Sequence, residues 1–205
     1  GIKPDLPPGG TPHSTITLIP SYLYRNLDKI IFDLFTRANA VGDLSTSTSG
    51  HTWAGDGNFD IASNTARPNA VALQIPTLGD LASADCVVEV SLSNMSADTD
   101  EEVGVIYRYA DTSNYWRAYL DDGSNEVILE KVVAGVVTEV ASPAWTPTDT
   151  AELKVLCQAN RHRVYVDRKL VIDQTDAALN TDTKVGLFAR STTVVDFDDF
   201  YAQAL

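Results

Sequence analysis

Cysteine, methionine and basic residues are scarce in this chain of 205 residues: two cysteines, one methionine, and 15 lysines and arginines against 28 aspartates and glutamates. A net charge of −13 argues against duplex nucleic acid or an anionic membrane as partner, because phosphate groups are bound by lysine and arginine. No apolar run approaches the length of a membrane span, and no charged-then-apolar signal segment opens the sequence. Three scattered histidines and two cysteines give no zinc-ligand spacing. What is there, 44% apolar and 21% charged residues, is the composition of an ordinary globular protein, long enough for one all-β sandwich with a full core.

The clearest signal is the stretch Val103–Val133. From Val103 to Tyr109 the side chains alternate, with Val103, Val105 and Tyr107 on one face and Gly104, Ile106 and Arg108 on the other, the period of a strand in a sheet. Ala110–Asn114 is dense in turn formers, and Tyr115–Leu120 returns with aromatics suited to a pleated surface. Asp121-Asp122-Gly123-Ser124 turns again, and Val127–Val133 runs back. The three strands form an antiparallel meander.

Around it the chain reads as residues 1–29, a proline-rich arm or linker, and residues 30–205, one domain. Pro4, Pro7, Pro8, Pro12 and Pro20 with Gly9 and Gly10 cannot hold a helix, while Thr15–Ile19 suits addition to a neighbouring sheet edge and Ser21 fits the cap of a short helical turn reaching about Asp28. Strands are expected at Ile30–Phe35, Asn58–Ala62, Ala66–Leu73, Asp85–Leu92, Val136–Val140, Ala151–Gln158, Arg163–Val166, Leu170–Asp173, Lys184–Arg190 and Val194–Ala204, with a long loop over Thr36–Ala54. The acidic stretch Ser93–Glu102 lacks the spacing of a calcium loop and reads as a solvated turn. Roughly a dozen short strands with hardly a helix predict a two-sheet antiparallel sandwich of the jelly-roll kind. Cys86 and Cys157 share their strand faces with valine and leucine. A disulfide and a pair of free thiols both remain open, the free pair being commoner for inward cysteines.

Val103–Arg108, Asn114-Tyr115-Trp116, Val127–Lys131, Leu153-Lys154-Val155 leading to Arg163–Asp167, Val185–Phe188 and the closing Phe197-Asp198-Asp199-Phe200 together resemble the concanavalin A-like jelly roll, which includes laminin G-like domains and many glycan-binding or glycan-cleaving modules. The resemblance covers about Ile31 to Leu205 and implies that the opening strand, Phe32–Arg37, pairs beside the closing one. At Asp167-Arg168-Lys169 the sequence departs from the family, which places glycine after the aspartate. A different turn type is expected there, because Arg168 in a left-handed conformation costs about 1 kcal/mol. A narrower likeness, carried by Phe35–Ala38, Gly50–Trp53 and Phe59–Pro68, is similar to segments of tailed-bacteriophage virion proteins. It implies a non-enzymatic capsid decoration, tail or fibre protein, homo-oligomeric, anchored to other virion proteins through its arm and displaying a sandwich toward host-surface polysaccharide. The alternative is a secreted carbohydrate-binding module of a glycan-active enzyme.

Glycan-cleaving members of the fold need two or three carboxylates converging in a groove. Their E-x-D-x-x-E strand signature is missing here. Glu126, Glu130 and Glu139 are spread over separate strands as solvent-facing positions, and His13, His51 and His162 are placed in loops without a nucleophile elbow, so no enzyme is expected. Binding instead asks for aromatic faces and planar polar groups. Trp116, Ala118 and Leu120 form the better core face of their strand, which leaves Tyr115, Arg117 and Tyr119, with Arg108 beside them, as the expected glycan-binding surface on an open sheet. Trp53 and Trp145 read either as rim contacts or as plugs at the sandwich ends. Strict alternation in Phe197–Phe200 puts one aspartate near the core, where it must be hydrogen-bonded, paired with an arginine or bound to a cation. A structural calcium between Asp33 and Asp199 is the cation option, and no other cofactor is expected.

Overall fold

The computed structural model describes residues 30–55, 57–95, 100–190, 192 and 194–205. The arm of residues 1–29, with the Thr15–Ile19 piece, the Ser21 turn and His13, lies outside the described residues, as does Asp98 of the acidic stretch. Two antiparallel sheets face one another. The first runs in spatial order β13 (Lys169–Thr175), β12 (Arg161–Val166), β11 (Thr150–Gln158), β6 (Cys86–Ser93), β15 (Asp196–Ala204), β4 (Thr65–Pro68) and β3 (Phe59–Ala62), with β1 (Ile30–Asp33) also against β15. The second runs β10 (Val136–Ala141), β9 (Glu126–Val133), β8 (Asn114–Asp121), β7 (Glu102–Asp111), β14 (Lys184–Arg190), β5 (Thr77–Asp80) and β2 (Trp53–Ala54). The meander is thus three neighbouring strands of one sheet, and the opening strand lies against the closing one, Ile30 opposite Gln203 and Asp33 opposite Phe200. No helix among the described residues is long and apolar enough to cross a membrane.

Alternation decides which face is buried. Cys86, Val88, Val90 and Leu92 on β6, Leu153, Val155 and Cys157 on β11, and Trp116, Ala118 and Leu120 on β8 all point between the sheets into one core. Turn chemistry closes the hairpins. Ser63-Asn64, Ala134-Gly135 and Asp167-Arg168 are two-residue loops in which both residues have positive φ, the turn whose twist matches that of paired strands. Arg168 therefore does adopt the left-handed conformation, at φ 67°, contrary to the turn expected from its side chain. The hairpin's twist overrides the local preference.

Three further expectations are corrected. The alternation in Phe197–Phe200 is broken by a bulge: the register against β6 shifts between Asp198 and Tyr201, and Asp199 sits at φ 49°. The extra residue lets Phe197 and Phe200 both enter the core while Asp198 and Asp199 both face out, so no aspartate of this pair is a core residue. His162 belongs to strand β12 and points into the core, not to a loop. The strand expected over Ala66–Leu73 stops at Pro68, and Thr77–Asp80 forms an unforeseen strand that bridges β14 to β2.

Candidate functional site

The four residues expected to form an open binding face do not. Tyr115, Arg117 and Tyr119 do share the outer side of the second sheet, but with Ile106, Ile128, Val132 and Phe188 they make a second apolar cluster, each no more than 5% exposed. Gly104 lies opposite both Tyr119 and Phe188, and its missing side chain lets their rings meet with centroids 4.8 Å apart. The Arg117 guanidinium sits over both rings, at 5.3 and 4.8 Å, and donates through Nε to Glu130 at 2.6 Å. Glu130 is thereby a buried ion-pair partner and not a solvent-facing residue. Burial pushes the Tyr115 and Tyr119 hydroxyls up, toward the neutral form. No ring face among these residues is free for a sugar to stack on. Arg108 leaves this face altogether. Its φ of 48° opens a register shift in β7, and its guanidinium donates to the Ala84 and Ala159 carbonyls at 2.9 and 2.5 Å, tying loops at one end of the sandwich.

Asp33 and Asp199 do not converge on a cation site either. Asp33 is fully buried and receives both Arg37 terminal nitrogens (2.7 and 2.8 Å), the Trp53 indole N–H (2.8 Å) and the Phe35 backbone N–H (3.0 Å). Burial alone would raise its carboxyl, but these donors outweigh it and hold the group below its ordinary value. Its acceptor capacity is spent, and no group of three metal-ligating side chains occurs among the described residues. Trp53, 3% exposed between Phe35 and Phe200, is a plug and not a rim contact. Cys86 and Cys157 are free, buried and directly opposite one another. Asp85 accepts from Leu205 on the β15 side, so the peptide groups of Cys86 point to β11 and the cysteines form a hydrogen-bonded pair, whose wide Cβ separation suits a bridge poorly.

A polar surface with two cavities lies on the other sheet, facing away from the core. Cross-strand register aligns a single row there: Tyr165 opposite Lys154, Lys154 opposite Glu89, Glu89 opposite Tyr201, and Tyr201 opposite Phe32. All five are half-buried. Lys154 Nζ and Glu89 Oε2 pair at 2.7 Å in the middle of the row, and Tyr201 donates its hydroxyl to Gln203 at 2.7 Å. Three strand spacings separate the tyrosines, about 14 Å, room for more than one sugar ring. A cavity of about 440 Å³ opens between Glu89, Glu152, Lys154, Leu156, Tyr165 and Arg168. Glu152 also walls a neighbouring cavity of about 370 Å³, with Ser91, Ser93, Asp167, Asp198 and Asp199. The turn that closes the groove is tied down by Asp167, which accepts from the Glu152 N–H at 2.9 Å. Burial, with the neighbouring charges of Asp199, Asp33 and Asp196, pushes the Asp198 carboxyl up against the help of its hydrogen bond from the Asp199 N–H. Five carboxylates against Lys154 and Arg168 make the groove anionic. Its residues come from five strands, of which only β11 and β12 are consecutive, and register brings them together, so the local sequence carries no signal for it.

Two sheets of this order, facing over one core with β1 against β15, define a jelly-roll β-sandwich of the concanavalin A-like kind. No family model matches the sequence, and no curated protein matches it. Among solved structures it is similar to the carbohydrate-binding module CBM66 from Bacillus subtilis, with a TM-score of 0.62 and 18% identity, covering 76% of this chain and 92% of that one. It is also similar to the GH43 protein BlXynB from Bacillus licheniformis, with a TM-score of 0.63 and 16% identity, covering 85% of this chain and 39% of that one. A third likeness is to a xylan beta-1,4-xylosidase from Bacillus halodurans C-125, at 0.60 and 15% identity, covering 84% of this chain and 38% of the other. In these last two the chain spans about two fifths of the longer protein.

Proposed function

We propose that this sandwich is a non-catalytic carbohydrate-binding module that holds a neutral polysaccharide along the groove of the first sheet. The observation that carries the reading is the row in which half-buried Tyr165 and Tyr201 flank the Lys154–Glu89 pair beside an open cavity. Tyrosine rings supply apolar faces for the C–H side of a sugar, and the charged pair, Glu152 and Ser91 supply donors and acceptors for hydroxyls. The excess of carboxylates disfavours uronates and phosphorylated glycans. Likeness to a carbohydrate-binding module over nearly its whole length supports the class. Display on a virion, with partner proteins and a homo-oligomer held through the arm, would give the same module a host-attachment role; that placement rests on the sequence likeness of Phe35–Ala38, Gly50–Trp53 and Phe59–Pro68 alone.

The test is affinity electrophoresis and calorimetry against unsubstituted xylan, mannan, β-glucan and polygalacturonate. Retardation by a neutral polysaccharide, weakened about tenfold in Tyr165→Ala and Tyr201→Ala at unchanged melting temperature, is the expected result. No retardation by any of them, or retardation that both variants keep, overturns the groove. Release of reducing ends from the same polysaccharides would replace binding with catalysis.

A further inference from the structure

Trp145 is the rim contact that Trp53 is not. The chain between β10 and β11 crosses from the second sheet to the first, and on its way it is pinned to the start of β9. Val127 donates to the Pro143 carbonyl at 3.0 Å, the Trp145 backbone N–H donates to the Asn125 carbonyl at 2.7 Å, and Ala144 bridges Glu126. Pro143 and Pro147 restrict the backbone on either side. The Trp145 side chain packs against the core and yet stays only half-buried. Its indole also differs from the other two. Trp53 and Trp116 are buried and donate to Asp33 and to the Ala178 carbonyl, whereas the Trp145 indole N–H has no partner among the described residues. A cavity of about 380 Å³ opens between Trp145 and the β12–β13 hairpin, lined by the apolar Val166 and Val171 and by Thr146, Asp167 and Lys169. The last three are exposed. One Asp167 oxygen accepts from the Glu152 N–H, which leaves the other oxygen and the Lys169 ammonium without a partner among the described residues. The described lining carries one carboxylate and one ammonium, and so lacks the negative excess of the groove.

We infer that this cavity is a second carbohydrate subsite, in which Trp145 stacks against the C–H face of a neutral sugar ring. The Asp167 carboxylate accepts from one ring hydroxyl, while the Thr146 hydroxyl, the Lys169 ammonium and the indole N–H donate to others. A tryptophan fixed in place by the backbone hydrogen bonds of its own loop loses little freedom when a ligand arrives. Asp167 also walls the cavity of about 370 Å³ that adjoins the groove, so the hairpin turn has a cavity on each side. The ligand class rests on the carbohydrate reading of the sandwich. The place does not, because each subsite is removed by its own variants.

The test is acrylamide quenching of tryptophan fluorescence in the full chain, with and without xylotriose, mannotriose and cellotriose, and with glycerol as a control for a small polyol. Because Trp53 and Trp116 are buried, the quencher reads Trp145. One of the trisaccharides should protect it at concentrations where glycerol does not. In the double variant Thr146→Ala/Lys169→Ala, at two exposed positions, the same protection should need about fivefold more sugar at an unchanged melting temperature. Tyr165→Ala should leave the protection as it is. If no trisaccharide protects Trp145, if glycerol protects it equally, if the double variant changes nothing, or if Tyr165→Ala abolishes the protection, the inference falls. Polysaccharide retardation without protection of Trp145 overturns this subsite and leaves the groove standing. Protection of Trp145 with retardation that ignores Tyr165 and Tyr201 supports this subsite and overturns the groove, and loss of both overturns the carbohydrate reading itself.

Discussion

His162 is fixed in the interior by three contacts. Its ring lies 4.1 Å from that of Trp116, its Nδ1 accepts from the Tyr107 hydroxyl at 2.9 Å, and its Nε2–H donates to the Asp176 carbonyl at 3.0 Å. Burial is the main reason its pKa falls to about 4. The unfolded chain, with an ordinary imidazole near 6.5, therefore binds a proton that the folded one refuses. Stability is fully present above about pH 6.5 and declines as pH falls toward 4, by an amount of order 3 kcal/mol. Urea unfolding at pH 7 and pH 4.5 should show this loss, and His162→Gln should flatten it. Asp33, whose carboxyl is lowered, adds its own loss only below about pH 4, so the two are separable. Arg168 makes the opposite kind of prediction. It sits at φ 67° in a two-residue turn, so Arg168→Gly should raise unfolding free energy by about 0.5–1 kcal/mol in denaturant melts. The sequence marks that turn by its Asp-Arg-Lys run but not its conformation, because twist is imposed by β12 and β13 and not by the turn's own residues.

At the scale of elements, Gly104 of β7 carries more than its size suggests. A Cβ there would lie 2.2 Å from the Ala118 carbonyl oxygen and 2.7 Å from the Tyr119 Cα, both backbone atoms of the neighbouring strand. Gly104→Ala should cost about 3 kcal/mol and lower the melting temperature by roughly 5–10 °C, read by calorimetry, while an alanine at Gly135, with open space around it, should cost only the strain of its φ of 78°. Strand positions were legible wherever period-two alternation ran for six residues or more, as in β7, β8, β9, β11 and β14. β5 escaped because Thr77-Leu78-Gly79-Asp80 is too short to show a period and is held by pairing with β14 and β2. The bulges at Arg108 and Asp199 escaped for a related reason. A single residue at positive φ reverses every face assignment after it, and nothing in Arg or Asp announces that. Arg108 left the expected binding face, and Asp199 stayed out of the core, by this one mechanism.

At the scale of the molecule, the two outer faces differ in kind. Side-chain alternation alone cannot say whether an outward face is open, and the one with the more aromatic residues proved to be closed by its own packing around Arg117. The face with fewer, spaced out by lysine and glutamate, is the one that stays accessible. The pairing of Ile30 with Gln203 has a mechanical consequence. Residues 30 and 203 lie opposite one another on paired antiparallel strands, so tension applied through residues 30 and 205 pulls β1 and β15 apart across their hydrogen bonds and not along them. Those bonds then break one after another. In optical-trap extension between these two points, the first opening should come at low force and correspond to peeling of β1, leaving the groove of the first sheet to fail later, when β15 is drawn from between β6 and β4.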